Sequence, residues 1–205
     1  MRDIDRALAD ITNIRSQLAA GTMFRGFGPT VIAVTGLLAI ATAGAQTIWP
    51  DLLAREPLTF LACWVVTAAI SAILIGAEML ARSRRHHAGL ADAMIWNAIQ
   101  QFLPAGFAGG AIAWVLLRFA PESLWLLPGL WQVLVALGIF ASLKTLPPSI
   151  ALVAVWYFVA GIGVLIVSSF SLGLSPWMMG LPFAVGQFVM AAILYLAPGE
   201  DHAED

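Results

Sequence analysis

Six stretches of about 20 mostly apolar residues follow one another along the chain, and this is the length that an α-helix needs to cross a bilayer. The predicted spans are Thr30–Trp49, Leu58–Ala81, Leu103–Ala120, Ser123–Leu143, Ser149–Ser171 and Trp177–Ala197. Prolines stand at or beside the boundaries of these stretches, where a helix tolerates a missing N–H. Because a backbone in lipid must pair its own polar groups, the sequence predicts an all-α, polytopic membrane protein.

The composition excludes most other classes of protein. Of 205 residues, 60% are hydrophobic and 11% are charged, whereas soluble domains carry about 25% charged residues. A soluble enzyme and a disordered chain are therefore excluded. The net charge of −2 does not suit a nucleic-acid binder, and the single cysteine, Cys63, excludes an intrachain disulfide.

The basic residues predict the orientation of the spans, because cytoplasmic loops are enriched in Arg and Lys. An even number of spans places both termini on one side, and eight of the ten basic residues lie on that side. They are Arg2, Arg6, Arg15, Arg25, Arg82, Arg84, Arg85 and Lys144. Both termini are therefore predicted to be cytoplasmic, with Trp49, Trp125 and Trp177 at the outer interface. The preference for Arg over Lys is typical of a GC-rich bacterial genome, so the predicted location is a bacterial cytoplasmic (inner) membrane.

In an alternative interpretation, the first apolar stretch belongs to a signal peptide that is cleaved off, and the mature chain has five spans. Ala43-Gly44-Ala45, followed by Gln46, fits the small-residue pattern of a signal-peptidase site. The acidic N-terminal segment, with Asp3, Asp5 and Asp10, is atypical of a signal peptide. Loss of residues 1–45 from the intact mass would contradict the six-helix prediction.

Residues 1–28 are predicted to form a cytoplasmic amphipathic helix and a Gly-rich joint. Within residues 3–20, five apolar side chains follow a 3-4 spacing, which makes one narrow seam. The seam consists of Ile4, Ala7, Ile11, Ile14 and Leu18. A helix on a membrane surface is usually rich in Lys and Arg, but this one has three Asp and two Arg. We therefore expect it to pack on a neighbouring helix, a second copy of the chain, or a membrane or cytoplasmic protein partner.

A second cytoplasmic amphipathic segment, residues 82–102, joins spans two and three. Its basic residues Arg82, Arg84 and Arg85 are expected to contact anionic lipid head groups. The alternative is an anion, metal or partner site that uses His86 and His87. Adjacent helical residues point about 100° apart, which does not favour a chelating pair. Residues 199–205 form an acidic tail.

The six spans, within residues 29–198, are predicted to form three hairpins, of which the last two resemble each other. Span four begins Ser123-Leu124-Trp125 and span six begins Ser175-Pro176-Trp177, and each carries one glutamine further along. Because each hairpin has two spans, the copies share one orientation. The Ser175-Pro176-Trp177 triplet also resembles the signature of the bacterial SPW-repeat membrane proteins.

Three polar side chains inside the spans are the candidate intramembrane site: Glu78, Gln132 and Gln187. A buried amide in hydrocarbon needs a partner, so the glutamines are expected either to join helices or to line a polar pocket. Glu78 precedes Arg82 by four residues, which favours a salt bridge; the alternative is a proton- or cation-coupling group. The spacings Ala68-x-x-x-Ala72 and Gly106-x-x-x-Gly110 are typical of close helix contacts.

No arrangement of residues indicates catalysis, a cofactor or a metal site. None of the spans contains a histidine, and no glycine-rich phosphate loop occurs. The sequence therefore predicts a non-enzymatic membrane protein with an accessory, sensing or scaffolding role through its cytoplasmic amphipathic helices. The alternative is a small-solute transporter or channel-like protein with a polar site lined by Gln132, Gln187 and Glu78.

Overall fold

The computed structural model describes residues 28–86, 91–143 and 148–196, and within these ranges every regular element is helical. Six long helices follow in chain order. They are α1 (Pro29–Ile48), α2 (Pro57–His86), α3 (Ala91–Phe119), α4 (Leu127–Ser142), α5 (Ala151–Ser171) and α6 (Pro176–Leu196). A one-turn helix, Pro50–Leu53, joins α1 to α2, and 3-10 turns at Pro121–Leu126 and Pro148–Ile150 precede α4 and α5.

The six predicted spans are confirmed as helical segments that are long and apolar enough to cross a membrane, and the ends of these segments agree within two residues. The helices α2 and α3 are longer than their spans, because α2 ends after the second span and α3 begins before the third. The first residue of α1, α2 and α6 is a proline. Proline is acceptable there because the N–H groups of the first helical turn have no hydrogen-bond partner within the helix. The outer surface is apolar: Phe107 is 79% exposed and Phe170 is 85% exposed. Water would penalise such a surface, whereas hydrocarbon does not, so the helices suit a multi-pass membrane protein.

The described part of the segment between spans two and three is helical, and its predicted amphipathic, cytoplasmic character stays a prediction. Residues 82–86 continue α2, and α3 already begins at Ala91, so the segment belongs to two long helices. Helix α3 runs through Pro104 without ending. The N-terminal seam, residues 87–90 and the acidic tail lie outside the described residues, as do the side chains of Arg82, Arg84 and Arg85.

Glycines allow two pairs of helices to approach closely. Helix α1 makes its most extensive contact with α6; a Cβ on Gly36 would lie 3.0 Å from the Phe188 ring. Helices α4 and α5 meet at Gly129 and Gly161, where a Cβ on Gly129 would lie 2.7 Å from the Gly161 carbonyl oxygen. These contacts place the last helix beside the first one.

The buried core consists of two clusters, one towards each end of the bundle. One cluster joins the starts of α1 and α5 to the ends of α4 and α6, through residues such as Ile32, Tyr157 and Met190. The other joins the end of α1 to the starts of α2, α4 and α6, through residues such as Phe60 and Met179. Helices α2 and α3 make few contacts with each other. A gap therefore remains between them.

Candidate functional site

A cavity of about 530 Å³ occupies the gap between α2 and α3, and α1, α4 and α6 form its floor. Of its 20 lining residues, 16 are apolar or glycine and none is charged. The polar ones are Thr35, Thr67, Ser71 and Gln187. Its volume lies in the range of small-molecule sites, and the space is a half-open groove on the outside of the bundle.

Small side chains on both walls create the space. Ala68 and Ala72 line the α2 wall, and Gly106 and Gly110 line the α3 wall. A Cβ built on Gly106 or Gly110 would meet no atom within 4 Å. The two small-residue spacings therefore do not bring helices of this chain together, as their pattern suggested, but leave room between them.

Gln187 is placed in this cavity by hydrogen bonds to two other helices. Its Nε2 donates to the Tyr157 hydroxyl over 3.1 Å, and that hydroxyl donates to the carbonyl oxygen of Phe183 over 3.2 Å. The Gln187 Oε1 lies 3.1 Å from the hydroxyl of Thr35 on α1. A Cβ on Gly186 would lie 2.6 Å from the Tyr157 hydroxyl oxygen, so the absence of a side chain there admits the tyrosine.

Gln132 has a different environment outside the cavity lining. It is fully buried, and its Nε2 donates over 2.8 Å to the carbonyl oxygen of Met178 on α6. Pro182, four residues after Met178, has no N–H to donate to that carbonyl. The glutamine therefore replaces the helical hydrogen bond that the proline removes. Among the described residues, the Gln132 Oε1 has no hydrogen-bond partner.

Glu78 lies at the N-terminus of α1. A Cβ on Gly28, the residue preceding α1, would lie 2.6 Å from the Glu78 carboxylate oxygen Oε1. A negative charge is favourable there because the first N–H groups of a helix point outwards. The expected partner Arg82 has no described side chain, so the predicted salt bridge stays a prediction.

The three candidate polar residues do not meet in one site. Thr35, the partner of Gln187, is seven residues after Gly28, which is about 10 Å along α1. Met178, the partner of Gln132, is nine residues before Gln187, which is about 13 Å along α6. Glu78, Gln187 and Gln132 therefore lie at three levels of the bundle.

Tryptophans add further links between helices. Trp131 Nε1 donates to the Gly109 carbonyl oxygen of α3 over 3.1 Å. Trp156 Nε1 donates to the Pro182 carbonyl oxygen of α6 over 3.0 Å. Since hydrocarbon offers no other partners, these bonds satisfy the indole N–H groups and hold neighbouring helices together.

Four polar residues at the site were not identified from the sequence: Thr35, Thr67 and Ser71, which line the cavity, and Tyr157, which binds Gln187. Tyr157 stands in the middle of a span, where its hydroxyl must find a partner, and this signal could have found it. Thr35 offers no comparable signal, because a threonine in a helix can bond to its own backbone. No group of three His, Cys, Asp or Glu that could hold a metal ion occurs among the described residues.

No protein-family model matches the chain, and comparisons with curated proteins and with solved structures likewise give no match. The function has to be argued from the geometry of the chain itself.

Proposed function

We propose that this chain is a non-enzymatic, multi-pass protein of a bacterial inner membrane with an accessory, sensing or scaffolding role. The observation that carries the proposal is that the polar side chains inside the spans form hydrogen bonds between helices. Gln132 bonds to a backbone carbonyl oxygen of α6, and Gln187 bonds to hydroxyls of α5 and α1. Neither lies in a metal-ligand cluster among the described residues. Such bonds stabilise a bundle and do not provide catalysis.

The proposed topology has three hairpins with both termini in the cytoplasm. The excess of Arg and Lys on one side supports this orientation. Trp49 follows the last residue of α1, Trp125 lies in the 3-10 turn that precedes α4, and Trp177 lies in the first turn of α6. The three residues therefore share one end of the bundle. The tryptophans support the same orientation as the basic residues. They would lie at the outer interface, while basic residues, including Arg82, Arg84 and Arg85, would contact the cytoplasmic lipid head groups.

The cytoplasmic amphipathic helix of residues 3–20 is the proposed docking element. Its seam of Ile4, Ala7, Ile11, Ile14 and Leu18 suits a second helix, from another copy or from a protein partner. The test compares the full chain with a variant lacking residues 1–27, both expressed in the membranes of the host bacterium. Crosslinking followed by mass spectrometry then identifies the neighbours of each chain.

We expect crosslinks to a second copy or to one discrete protein in the full chain, and their loss in the truncated chain. Ile11→Ser should weaken the crosslinks, whereas the matched variant Asn13→Ser, on the polar face, should leave them unchanged. Equal crosslinking of the full and truncated chains would disprove a docking role for this helix.

The second candidate is a small-solute transporter or channel, and the cavity beside Gln187 favours it. A transport path would have to connect Glu78, Gln187 and Gln132, which lie at three levels of the bundle. Stopped-flow light scattering of proteoliposomes with glycerol and urea compares the two candidates. We expect no flux above that of empty liposomes; flux that Gln187→Leu reduces would favour the transporter.

A further inference from the structure

The cavity between α2 and α3 opens towards the lipid. Val65 and Ala68 on the α2 wall and Gly106 and Gly110 on the α3 wall are exposed. In a bilayer these positions face hydrocarbon, so a molecule dissolved in the membrane can enter between the two helices without crossing water. A charged head group is not suited to this space, because no lining residue is charged and Thr35 lies about 10 Å inside the end of α1.

The residues that line this space offer four polar side chains, the hydroxyls of Thr35, Thr67 and Ser71 and the amide of Gln187, and Gln187 carries the amide oxygen among them. Its donor in the described part of the chain is the Thr35 hydroxyl, 3.1 Å away. That hydroxyl has one hydrogen and lies closer, 2.7 Å, to the carbonyl oxygen of Ile32. An amide oxygen accepts two hydrogen bonds, so Gln187 Oε1 keeps capacity for a donor in the cavity.

We propose that the cavity binds an uncharged, mainly apolar molecule that carries a hydroxyl group, and that the hydroxyl donates a hydrogen bond to Gln187 Oε1. The apolar walls bury the hydrocarbon part of the molecule, while Gln187 fixes its polar end. This binding site goes beyond the proposed docking role, which concerns residues 1–27. A molecule bound in it would be the signal that a sensing protein detects.

The test uses the full-length chain in nanodiscs and tritiated farnesol, an apolar alcohol, as the probe. Farnesyl methyl ether has the same carbon chain and no hydrogen to donate, so it is the matched competitor. We expect saturable farnesol binding above that of empty nanodiscs, and we expect the ether to compete about five- to tenfold less well, which corresponds to one hydrogen bond.

Gln187→Met keeps the length of the side chain and removes the amide. We expect farnesol binding to fall to the level of the ether, so that the preference for the alcohol is lost. Thr35→Val, in contrast, should keep the preference, because Gln187 Oε1 still accepts. This second variant tests the proposal even if Gln187→Met does not fold.

Filling the cavity provides a separate test. Gly106→Leu places a side chain in the cavity, and a Cβ there meets no atom within 4 Å, so the backbone need not move. We expect at least a tenfold loss of binding for both the alcohol and the ether. Gly76→Leu is the matched control, since its Cβ also meets nothing and it does not line the cavity.

Three results would overturn the proposal: no saturable binding, equal competition by the ether and the alcohol, or unchanged binding in Gly106→Leu. Retention of a phospholipid that farnesol does not displace, seen by native mass spectrometry, would also overturn it. The docking role is tested separately, by the crosslinks that depend on residues 1–27. Either the docking role or the ligand site can therefore be disproved without affecting the other.

Discussion

At the scale of single residues, a proline and a glutamine on different helices compensate each other. Pro182 leaves the Met178 carbonyl oxygen without its helical donor, and Gln132 Nε2 donates to it over 2.8 Å. The other end of the same amide, Oε1, has no partner among the described residues. The stability that Gln132 adds to the bundle is therefore expected to depend on Pro182.

A double-mutant cycle measures this dependence. Gln132→Leu alone should lower the stability by about 1 kcal/mol, because one interhelical hydrogen bond in a membrane protein contributes about that much. In a Pro182→Ala background the restored backbone N–H can donate to the Met178 carbonyl oxygen, so Gln132→Leu should cost nothing or should stabilise. The measurement is thermal unfolding in one detergent. The same loss in both backgrounds would show that the two residues act independently.

Gly186 provides a second prediction at this scale. A Cβ there would lie 2.6 Å from the Tyr157 hydroxyl oxygen, so Gly186→Ala should destabilise the bundle by about 1–3 kcal/mol through overpacking. Gly163→Ala, whose Cβ meets nothing within 4 Å, should be neutral or should stabilise by up to about 1 kcal/mol, since alanine favours a helix. Unfolding curves of the two variants that coincide would contradict this packing.

At the scale of elements, one buried amide organises the connection between α1 and α2. Gln46 Nε2 donates to the carbonyl oxygens of Leu53 and Phe60 over 3.2 and 3.1 Å. Its Oε1 accepts from Trp64 Nε1 over 2.9 Å. A single side chain therefore joins the end of α1, the short helix Pro50–Leu53 and the start of α2.

Replacing the Gln46 amide by an apolar side chain should lower the free energy of unfolding more than the same change at Gln132. Gln46→Leu removes three hydrogen bonds and leaves the buried Trp64 indole N–H without its acceptor, so we expect a loss of about 2–3 kcal/mol in the free energy of unfolding. Thr47→Val is the matched control: Thr47 is exposed, its hydroxyl bonds within its own helix to the Ala43 carbonyl oxygen, and its loss should cost less than about 0.5 kcal/mol. Chemical denaturation in detergent measures both, and equal costs would contradict the role of Gln46.

At the scale of the whole molecule, the distribution of basic residues predicts which end faces the cytoplasm. In a Cys63→Ala background, a cysteine at Glu122 should react with a membrane-impermeant maleimide in intact cells. A cysteine at Ser83 should react only after the membrane is permeabilised, because it lies on the side with eight of the ten basic residues. The opposite pattern of labelling would invert the proposed topology.

Much of the architecture, but little of the candidate site, could be predicted from the sequence. The two glutamines were recognisable because an amide in a long apolar stretch stands out. Their partners were not, since Tyr157 and Met178 are distant along the chain and meet the glutamines only through helix packing. The spacing of Gly106 and Gly110 suggested a contact, but whether small residues meet a helix or a cavity depends on the neighbouring helices.

The sequence by itself determined the number and nearly the ends of the apolar segments that can span a membrane, because the transfer of a segment into hydrocarbon depends on its own residues. Only the tertiary structure decided that α1 packs on α6, that α2 and α3 stand apart, and that Gln187 faces the resulting cavity. The physical reason is that lipid solvates every apolar face equally well. Helix pairing is therefore decided by close fit and by hydrogen bonds between residues far apart in the chain.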